Sequence, residues 1–374
     1  MFNDALILAG GSGTRLWPAS SSRLPKQFLL ANEKQSFFSM AVERALVVSE
    51  RVIIIAGKPH IPHVIRDCAK FNAAEKNRII CIGEPLAKNT APAIACAVRL
   101  SILTNNDRNM LVLTSDHIIK PLSAFKKDAF ISAAATKTTS NSSLAVFGIP
   151  PTRPDTGYGY IEADKEQPVN GVYKVFAFHE KPTAQKAAQY VKENRFFWNS
   201  GMFAFNSGFM AEQFLNLAPE VFIPFEKLKT PKKTDFLVSK GIKVLKSWQG
   251  LENAYKKAQS ISFDYAIAEK CGKTVMVKTN FNWIDIGNWE EYAKIAVKND
   301  LFVFDAPADG KSSGSCHVDS DIPVALAGVE DLIVVIRSGK DGNPASALIT
   351  KKGQTQKVRE IVEQIKMKGK TELL

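Results

Sequence analysis

The amino-acid sequence predicts an α/β domain with a largely parallel sheet, followed by a small β-rich unit that ends in a helix. Three observations support this fold class. Short β-branched runs alternate with helix-length segments through the first half. The composition changes to Ala, Asp, Gly and Ser over residues 305–314. Near the end, Val358, Ile361, Val362 and Ile365 follow the i, i+3, i+4, i+7 spacing of a helix.

The elements of the first half follow from apolar runs of strand length. Five strands are predicted, at residues 5–8, 51–55, 78–82, 110–114 and 144–148. A helix is predicted over 91–103, with Pro92 in its first turn. Residues 157–205 should hold further strands joined by aromatic-rich loops, and residues 211–268 should be mostly helical.

The later elements form the small unit. Residues 305–314 are expected to be a linker or an exposed loop. Three short strands are predicted beyond it, at residues 324–326, 332–336 and 347–350. A chain of 374 residues is long enough for about two domains. We therefore predict one domain over 1–295 and a second over 296–374.

Composition excludes several classes of protein. With 45% hydrophobic and 23% charged residues the chain can bury a sizeable core. No apolar run reaches the roughly 20 residues of a membrane helix, and no signal peptide is expected, so we predict a cytoplasmic protein without membrane association. Five scattered cysteines favour reduced thiols. The charge of +12 comes largely from diffuse lysines, so no nucleic-acid partner is expected.

A glycine-rich segment follows the first predicted strand. Its residues are Leu8, Ala9, Gly10, Gly11, Ser12, Gly13 and Thr14, followed by Arg15. Glycines without a Cβ let backbone N–H groups face an anion, and Arg15 and Lys26 add positive charge. Neither the Walker pattern nor the dinucleotide fingerprint fits. Taken alone, the segment is equally a plain strand-to-helix turn and a phosphate-binding loop.

The segment at residues 8–18, followed by Pro25-Lys26-Gln27-Phe28, resembles sugar-1-phosphate nucleotidyltransferases. Trp17 and Gln27 resemble the mannose-1-phosphate guanylyltransferase branch of that family. The resemblance implies a Rossmann-like, GT-A-like domain with a mixed, mostly parallel sheet, and a C-terminal extension like a left-handed β-helix. It also implies that the loop binds the nucleotide, with Arg15 and Lys26 on the triphosphate.

Two isolated acids follow apolar runs, Asp116 after residues 110–115 and Asp285 within residues 283–289. Either could be a cap or a turn former. Together they suit Mg²⁺, which one or two carboxylates typically hold with substrate phosphates. The resemblance implies that this pair holds the metal and that Arg15, Lys26, Asp116 and Asp285 are catalytic. It also implies that Asp116 binds the nucleotide.

The polar turn at residues 83–93 opens the helix predicted at 91–103. Asn89 or Thr90 could simply cap that helix. The resemblance instead implies that Glu84, Asn89 and Thr90 bind the nucleotide, because a carboxylate can accept hydrogen bonds from the N1–H and N2–H groups of guanine.

Four further residues are candidates for the sugar phosphate. They are Gly157, Glu162, Lys181 and Asn199. Taken alone, each of their motifs indicates only a rigid loop or a chance sequence. The resemblance implies that the four residues form the sugar pocket. Asp264 is expected to be a helix cap or a structural acid.

The implied reaction joins GTP and mannose 1-phosphate to give GDP-mannose and pyrophosphate, with Mg²⁺ as cofactor. Two alternatives remain at this point. The chain could use another nucleotide or another hexose or heptose 1-phosphate, or it could be a silent regulatory paralogue that only binds a sugar nucleotide. The apolar C-terminal unit is a candidate surface for a homodimer.

Overall fold

The computed structural model describes residues 1–11, 13–32, 34–105, 108–136, 142–164, 168–169, 171–295, 303–306, 316–339 and 344–374, with backbone only at 303–306. These residues form two compact units. Unit 1 comprises Met1–Gly10, Ala41–Ser115 and Ile119–Trp283. Unit 2 comprises Gly11–Met40, Asp116–Ile118 and Ile284–Leu374. The domain boundary predicted between residues 295 and 296 stays a prediction.

The strands, in chain order, are β1 (Phe2–Leu8), β2 (Ser49–Gly57), β3 (Ile79–Glu84), β4 (Asn109–Thr114), β5 (His117–Lys120), β6 (Leu144–Ile149), β7 (Tyr160–Ala163), β8 (Val172–His179), β9 (Phe196–Asn206), β10 (Phe236–Ser239), β11 (Ile242–Leu245), β12 (Thr274–Lys278), β13 (Asn282–Asp285), β14 (Val303–Ala306), β15 (His317–Ser320), β16 (Val324–Ala327), β17 (Leu332–Arg337) and β18 (Ser346–Lys351). The α-helices are α1 (Phe37–Val48), α2 (Ile61–Cys68), α3 (Ala73–Asn77), α4 (Thr90–Thr104), α5 (Leu122–Thr136), α6 (Ala184–Glu193), α7 (Ser207–Leu217), α8 (Pro219–Glu226), α9 (Leu251–Lys257), α10 (Trp289–Ala293) and α11 (Val358–Met367).

An eleven-stranded sheet is the centre of unit 1, in the order β10-β11-β3-β2-β1-β4-β9-β6-β12-β8-β7. The block from β11 to β4 is parallel throughout. Beyond it, β9 runs antiparallel to both β4 and β6. The predicted mixed sheet is confirmed, but the expectation that it is mostly parallel is wrong outside the first block. An apolar run shows that a strand is buried, not which way it runs.

The five strands predicted in the first half all lie within observed strands, apart from a residue at one end, and the predicted helix at 91–103 lies within α4. Residues 211–268 are less helical than expected, because β10 and β11 form an antiparallel hairpin there. Its two turn residues, Lys240 and Gly241, have φ of 50° and 87°, the conformation typical of a two-residue hairpin loop.

The core of unit 1 lies where α4 and α7 meet the sheet. Residues Ala91–Val98 of α4 are all buried, so this helix is apolar around its whole circumference rather than on one face. Phe263 is fully buried and its ring packs against Phe203 and Phe214 at centroid distances of 4.7 and 5.9 Å. The carboxyl ends of β1, β3 and β4 lie on one edge of the parallel block, the edge at which ligands bind in open α/β sheets.

Unit 2 contains the C-terminal strands. β14 pairs in parallel with β16, β15 pairs in parallel with β17, and β17 pairs antiparallel with β18. The C-terminal β-rich extension is thus observed, and α11 ends close to the predicted position. Residues 305 and 306, expected in a linker, belong to β14, because their backbone pairs with β16; residues 307–314 lie outside the described residues.

Unit 2 has its own apolar core. Leu16 and Trp17 from the segment after the glycines are buried there with Ile333, Leu348 and Val358. The glycine-rich segment therefore leads directly into the core that the C-terminal strands form. Across the described parts of both units, no helix is long and apolar enough to cross a membrane.

Candidate active site

The glycine-rich segment begins at the carboxyl end of β1. Ala9 donates its backbone N–H to Ile55 O at 2.8 Å, which continues the β1–β2 pairing by one residue. Gly10 lies beside Glu84, whose Oε2 is 3.4 Å from the position of a Cβ on Gly10. Ser12 lies outside the described residues. β1 thus places Ala9 and Gly10 at the carboxyl edge of the sheet.

Gly13 requires a glycine for two reasons. Its φ is +60°, in the left-handed region that L side chains rarely adopt. A Cβ there would also overlap with the Cβ of Lys26. Thr14–Leu16 then form a short 3₁₀ turn, and Ser20 Oγ donates to Gly13 O at 2.6 Å. The segment is therefore folded closely around Lys26 rather than being a simple turn.

Lys26 lies at the point where the two predicted metal carboxylates converge. Its Nζ is 2.7 Å from Asp116 Oδ2 and 3.5 Å from Asp285 Oδ1. It also donates to Ile286 O at 2.6 Å. The Lys26 side chain is 8% exposed, while the Asp116 and Asp285 side chains are 30% and 22% exposed. All three residues belong to unit 2, so the structure brings the predicted catalytic charges together.

The charges in this cluster stabilise one another. Burial acts to lower the pKa of Lys26, but Asp116 and Asp285 outweigh it and raise the pKa above its ordinary value. Burial likewise acts to raise the pKa of Asp116, and Lys26 and His117 reverse this, so that the net pKa is lowered. Lys26 and Asp116 are therefore both ionised near neutral pH.

Arg15 lies in the same neighbourhood. The position of a Cβ on Gly287 would be 3.5 Å from Arg15 Nη1 and 3.7 Å from Asp285 Oδ2. The charge of Arg15 also acts to lower the pKa of Lys26. Trp289 Nε1 donates to Trp17 O at 3.0 Å, which ties the segment that carries Asp285 to the segment that carries Arg15. Two cations and two carboxylates thus form one polar cluster.

This cluster fits a divalent cation that is shared with a substrate. Because Asp116 and Asp285 both reach one ammonium group, their oxygens converge on one point, as the ligands of a single ion must. No three His, Cys, Asp or Glu side chains among the described residues are grouped closely enough to hold a metal. The two carboxylates would hold the ion with phosphate oxygens completing its shell.

Two residues of the turn after β3 have structural roles. Asn89 has φ of 68° and its Oδ1 accepts from Thr90 N at 2.9 Å, so it caps α4. Thr90 Oγ1 accepts from Phe263 N at 2.8 Å. Glu84 differs from these two, because its Oε1 is buried without a hydrogen-bond partner. Burial raises the pKa of Glu84 to about 7. The predicted nucleotide contacts of all three residues stay predictions.

Glu162 in β7 is fixed by two basic groups. Its Oε2 is 3.0 Å from His179 Nε2 and its Oε1 is 2.7 Å from Arg195 Nη1. Gly157 donates its N–H to Asp155 Oδ1 at 2.9 Å. Both residues are thus part of well-defined local structure in unit 1, and their role in a sugar pocket stays a prediction.

Asn199 and Lys181 belong to a second cluster in unit 1. Asn199 Nδ2 donates to Asp264 Oδ1 at 2.8 Å, and Asn199 Oδ1 accepts from Gly201 N at 3.1 Å. Lys181 Nζ is 2.7 Å from Glu180 Oε1. Because Asp264 also influences the pKa of Lys181, these side chains share one neighbourhood. The amide of Asn199 therefore has a fixed orientation.

Asp264 belongs to the same cluster, although it was not among the candidate site residues. It was expected to be a cap or a structural acid, and its contact is with the candidate Asn199 instead of a helix N-terminus. Burial raises the pKa of Asp264. No local pattern in the sequence predicts this contact, because 65 positions separate Asn199 from Asp264.

Known proteins are similar to this chain in both sequence and fold. The family model for nucleotidyl transferases matches residues 4–300. A Vibrio cholerae protein named putative mannose-1-phosphate guanylyltransferase is 34% identical, over 98% of this chain and 75% of that protein. A mannose-1-phosphate guanylyltransferase of Salmonella montevideo is 32% identical, over 98% of this chain and 74% of that protein.

A solved structure from Thermus thermophilus, described as a mannose-1-phosphate geranyltransferase, has a TM-score of 0.77 to this chain. The two are 27% identical, and the match covers 98% of this chain and 100% of the Thermus chain. The similarity in sequence and the similarity in structure thus extend over nearly the whole chain.

Proposed function

Because this chain belongs to the nucleotidyl transferase family, we propose that it transfers GMP from GTP to mannose 1-phosphate, which yields GDP-mannose and pyrophosphate. The family acts on nucleoside triphosphates and sugar 1-phosphates. The choice of guanine and mannose is supported by the names of the relatives that are 34% and 32% identical. The observation that carries the proposal is the convergence of Asp116 and Asp285 on Lys26.

The reaction is a direct displacement. An oxygen of the sugar phosphate attacks the α-phosphorus of GTP, a new P–O bond forms, and the bond to the bridging oxygen of pyrophosphate breaks. The attacking phosphate is already an anion, so no general base is needed. Catalysis then depends on position and on charge neutralisation, which Arg15 and Lys26 supply to the triphosphate. A divalent cation, which we propose is Mg²⁺, is held by Asp116 and Asp285 and supplies further charge neutralisation when bound.

The remaining candidates divide between the two substrates. The loop residues Leu8, Ala9, Gly10, Gly11, Ser12, Gly13 and Thr14 are assigned to the nucleotide, with the backbone N–H groups of the three glycines facing its phosphates. Glu84, Asn89 and Thr90 are assigned to the base, where the unpartnered Oε1 of Glu84 supports the assignment. Gly157, Glu162, Lys181 and Asn199 are assigned to mannose 1-phosphate, with Lys181 on its phosphate.

Replacement of Lys26 tests the proposal. Lys26→Ala should lower turnover by about 100-fold or more, because it removes a charge that acts on the departing pyrophosphate. Lys34→Ala, on an exposed lysine of the same unit, is the matched control and should retain activity. Pyrophosphate release is the readout, and circular dichroism checks the fold. Near-wild-type release from folded Lys26→Ala protein would contradict the assignment.

A substrate panel decides between the alternatives. Pyrophosphate release is measured with a set of nucleoside triphosphates, each combined with mannose 1-phosphate, other hexose 1-phosphates and a heptose 1-phosphate. Highest kcat/KM for GTP with mannose 1-phosphate supports the proposal. A different preferred pair identifies another nucleotidyltransferase, and binding without release identifies a silent paralogue. The silent form is disfavoured, since binding alone does not require both metal carboxylates and the chain has the full set of charged residues: Arg15, Lys26, Asp116, Lys181 and Asp285.

Four finer points accompany the proposal. We propose that the C-terminal strands continue as a left-handed β-helix, which the parallel pairs β14–β16 and β15–β17 support; an experimental structure with right-handed coils would contradict it. We also propose a homodimer formed through the C-terminal strands and α11, where Ile349 and Met367 are 66% and 85% exposed. A cytoplasmic location and the domain boundary at 295/296 likewise stay predictions.

A further inference from the structure

A buried polar group of unit 1 has no part in the function proposed above. Tyr255, in α9, is fully buried, and its hydroxyl oxygen has no hydrogen-bond partner among the described residues. The ring packs edge-on against Phe225, with 5.2 Å between centroids and 85° between planes. A buried hydroxyl without a partner costs about 1–3 kcal/mol. A phenylalanine would pack the same ring without that cost, so the hydroxyl itself needs an explanation.

The neighbour of this hydroxyl is the carboxyl group of Glu84. The Tyr255 hydroxyl lies close enough to act against the effect of burial on the pKa of Glu84, and Glu84 in turn contributes to the raised pKa of Tyr255. Glu84 Oε1 is itself buried without a hydrogen-bond partner. A buried donor and a buried acceptor, neither of which forms a hydrogen bond of ordinary geometry, thus lie near one another.

The other titratable group at this place is Cys96, on α4. Cys96 is fully buried, and burial raises the pKa of its thiol, so it stays neutral. Burial raises the pKa of Glu84 to about 7, and the hydrogen bond from Tyr255 acts in the opposite direction. The charge of Glu84 therefore depends on hydrogen-bond donors, which Tyr255 can supply from the protein side and a nucleobase can supply from the ligand side.

We propose that Tyr255 is a positioning residue for base recognition: its hydroxyl donates to Glu84 and holds the carboxylate ionised and oriented towards the two N–H donors of a guanine base. This inference rests on the proposed function, in which Glu84 contacts the base. A protonated Glu84 would keep one acceptor oxygen and would face the second N–H of guanine with an O–H donor, so it would bind the base more weakly. Tyr255 thus acts on specificity through Glu84, without touching the substrate.

Tyr255→Phe tests this, because the variant keeps the ring that packs on Phe225. KM for GTP and kcat are measured from about pH 6 to about pH 9. Below about pH 7.5, KM for GTP should be roughly three- to tenfold higher in Tyr255→Phe than in wild type. This is the change expected if the pKa of Glu84 rises by about 0.5 to 1. The midpoint of the KM profile should move to higher pH, because the loss of the donor raises the pKa of Glu84 further. Near pH 9, KM should return to within about twofold of wild type, and kcat should change little at any pH.

Two control variants separate positioning from a structural role. Tyr173→Phe removes a partly buried hydroxyl on β8 of the same unit, and it should leave the pH profile unchanged. Glu84→Gln should make KM for GTP high and independent of pH, and Tyr255→Phe should add nothing to it. A lower melting temperature of Tyr255→Phe with a KM profile that superimposes on wild type would mean that the hydroxyl only supports the fold, and would overturn the inference.

Failure of the inference and failure of the proposed function give different results. If wild-type protein releases no pyrophosphate from GTP and mannose 1-phosphate, the proposed function is wrong and the role of Tyr255, which rests on it, is overturned with it. If wild-type protein is active and its KM for GTP does not vary across that pH range, the function stands and the role of Tyr255 is overturned. An additive effect of Tyr255→Phe in the Glu84→Gln background also overturns it, since the hydroxyl would then act elsewhere.

Discussion

At the scale of single residues, Gly13 and Lys26 occupy adjoining space. We expect Gly13→Ala to lower kcat/KM by about 100-fold, because a new Cβ displaces Lys26 and is strained at a φ of +60°. Steady-state pyrophosphate release measures the effect. The melting temperature should also fall, by more than the strain at this φ alone would cause, because the Cβ and the backbone of Lys26 must shift as well; activity is therefore measured at a temperature at which circular dichroism shows the variant folded.

The matched control is Gly272→Ala, in unit 1, where a Cβ would meet no atom within 4 Å. Gly272→Ala should retain wild-type activity and stability. A Gly13→Ala variant with unchanged kcat/KM would show that the position of Lys26 tolerates displacement, and the assignment of Lys26 to the triphosphate would then lose its geometric support.

Asp4 is a buried charge that supports the fold without serving the site. It pairs with Arg51 and Arg108, at 2.6 and 2.9 Å, and it also accepts from Ser101. Asp4→Asn should lower the free energy of unfolding by about 3 kcal/mol, because two partly buried arginines lose their counter-charge. Asp4 precedes the end of β1 by four residues, about 13 Å along the strand, so activity of the folded protein should be unchanged.

The pH dependence of this effect has a definite sign. Burial acts to raise the pKa of Asp4, but Arg51 and Arg108 reverse this and the folded pKa lies below the ordinary value of 3.8. The stability that Asp4 contributes is therefore fully present above about pH 4 and is lost as the pH falls through the folded pKa. Urea unfolding should show a difference between wild type and Asp4→Asn near neutral pH that narrows in acid, below about pH 4. A difference that widens in acid would contradict this.

The sequence predicted some of these residues and not others. Lys26, Asp116 and Asp285 were found because their motifs resemble a family, and the structure brings them together although 259 residues separate Lys26 from Asp285. The contact between Asn199 and Asp264 was missed, because a hydrogen bond between residues 65 positions apart leaves no local pattern. The same holds for the contact of Tyr255 with Glu84, which depends on how α9 packs.

At the scale of elements, the start of α4 combines a cap with a predicted nucleotide contact. Asn89→Gly keeps a residue that tolerates the φ of 68° and should cost only a few tenths of a kcal/mol in unfolding free energy. If the Asn89 side chain also contacts the nucleotide, KM for GTP should rise by about three- to tenfold, the effect of about 1 kcal/mol from one lost hydrogen bond. Kinetics and thermal unfolding are measured on the same preparations.

Asn72→Gly provides the comparison, because Asn72 caps α3 through a capping box in the same unit. This variant should lose a similar amount of stability with no change in KM. Equal KM values for Asn89→Gly and wild type would leave Asn89 with the capping role alone and would remove it from the nucleotide site.

Most element positions were predictable, because buried strands and helices have characteristic apolar runs. Pairing was less predictable: β9 lies between β4 and β6 and reverses the direction of the sheet, which depends on contacts between distant segments. The β10–β11 hairpin did leave a signal, since each strand carries apolar residues around the pair Lys240-Gly241. The signal is weak because lysine seldom adopts a positive φ.

At the scale of the whole molecule, the units do not follow chain order. Unit 2 combines an early segment, a short middle segment and the C-terminal part of the chain. A prediction that proceeds along the sequence places boundaries where composition changes, as at 295/296. It cannot detect that Leu16 and Val358 share one apolar core, because this packing is decided only when the chain has folded.

Assembly is predicted at the same scale. If the C-terminal strands and α11 form a homodimer, Ile349→Glu should shift the protein from dimer to monomer, because a charge would be buried in an apolar interface. Light scattering after size-exclusion chromatography gives the mass. Val238→Glu replaces a residue of unit 1 that is 70% exposed and should leave the mass unchanged. A monomeric wild-type protein would contradict the dimer.

The place of Lys26 between Asp116 and Asp285 makes it an internal counterion. A free divalent cation must displace an ammonium group that already balances part of the negative charge, whereas a cation that arrives with a triphosphate offers that ammonium a new anion. Metal and nucleotide should therefore bind cooperatively. Electron paramagnetic resonance should detect weak binding of Mn²⁺ alone, about tenfold tighter binding with GTP for a coupling near 1.4 kcal/mol, and tighter binding of Mn²⁺ alone to Lys26→Ala. Equal Mn²⁺ affinity in all three cases would mean that Lys26 does not couple the binding of the metal to the binding of the nucleotide.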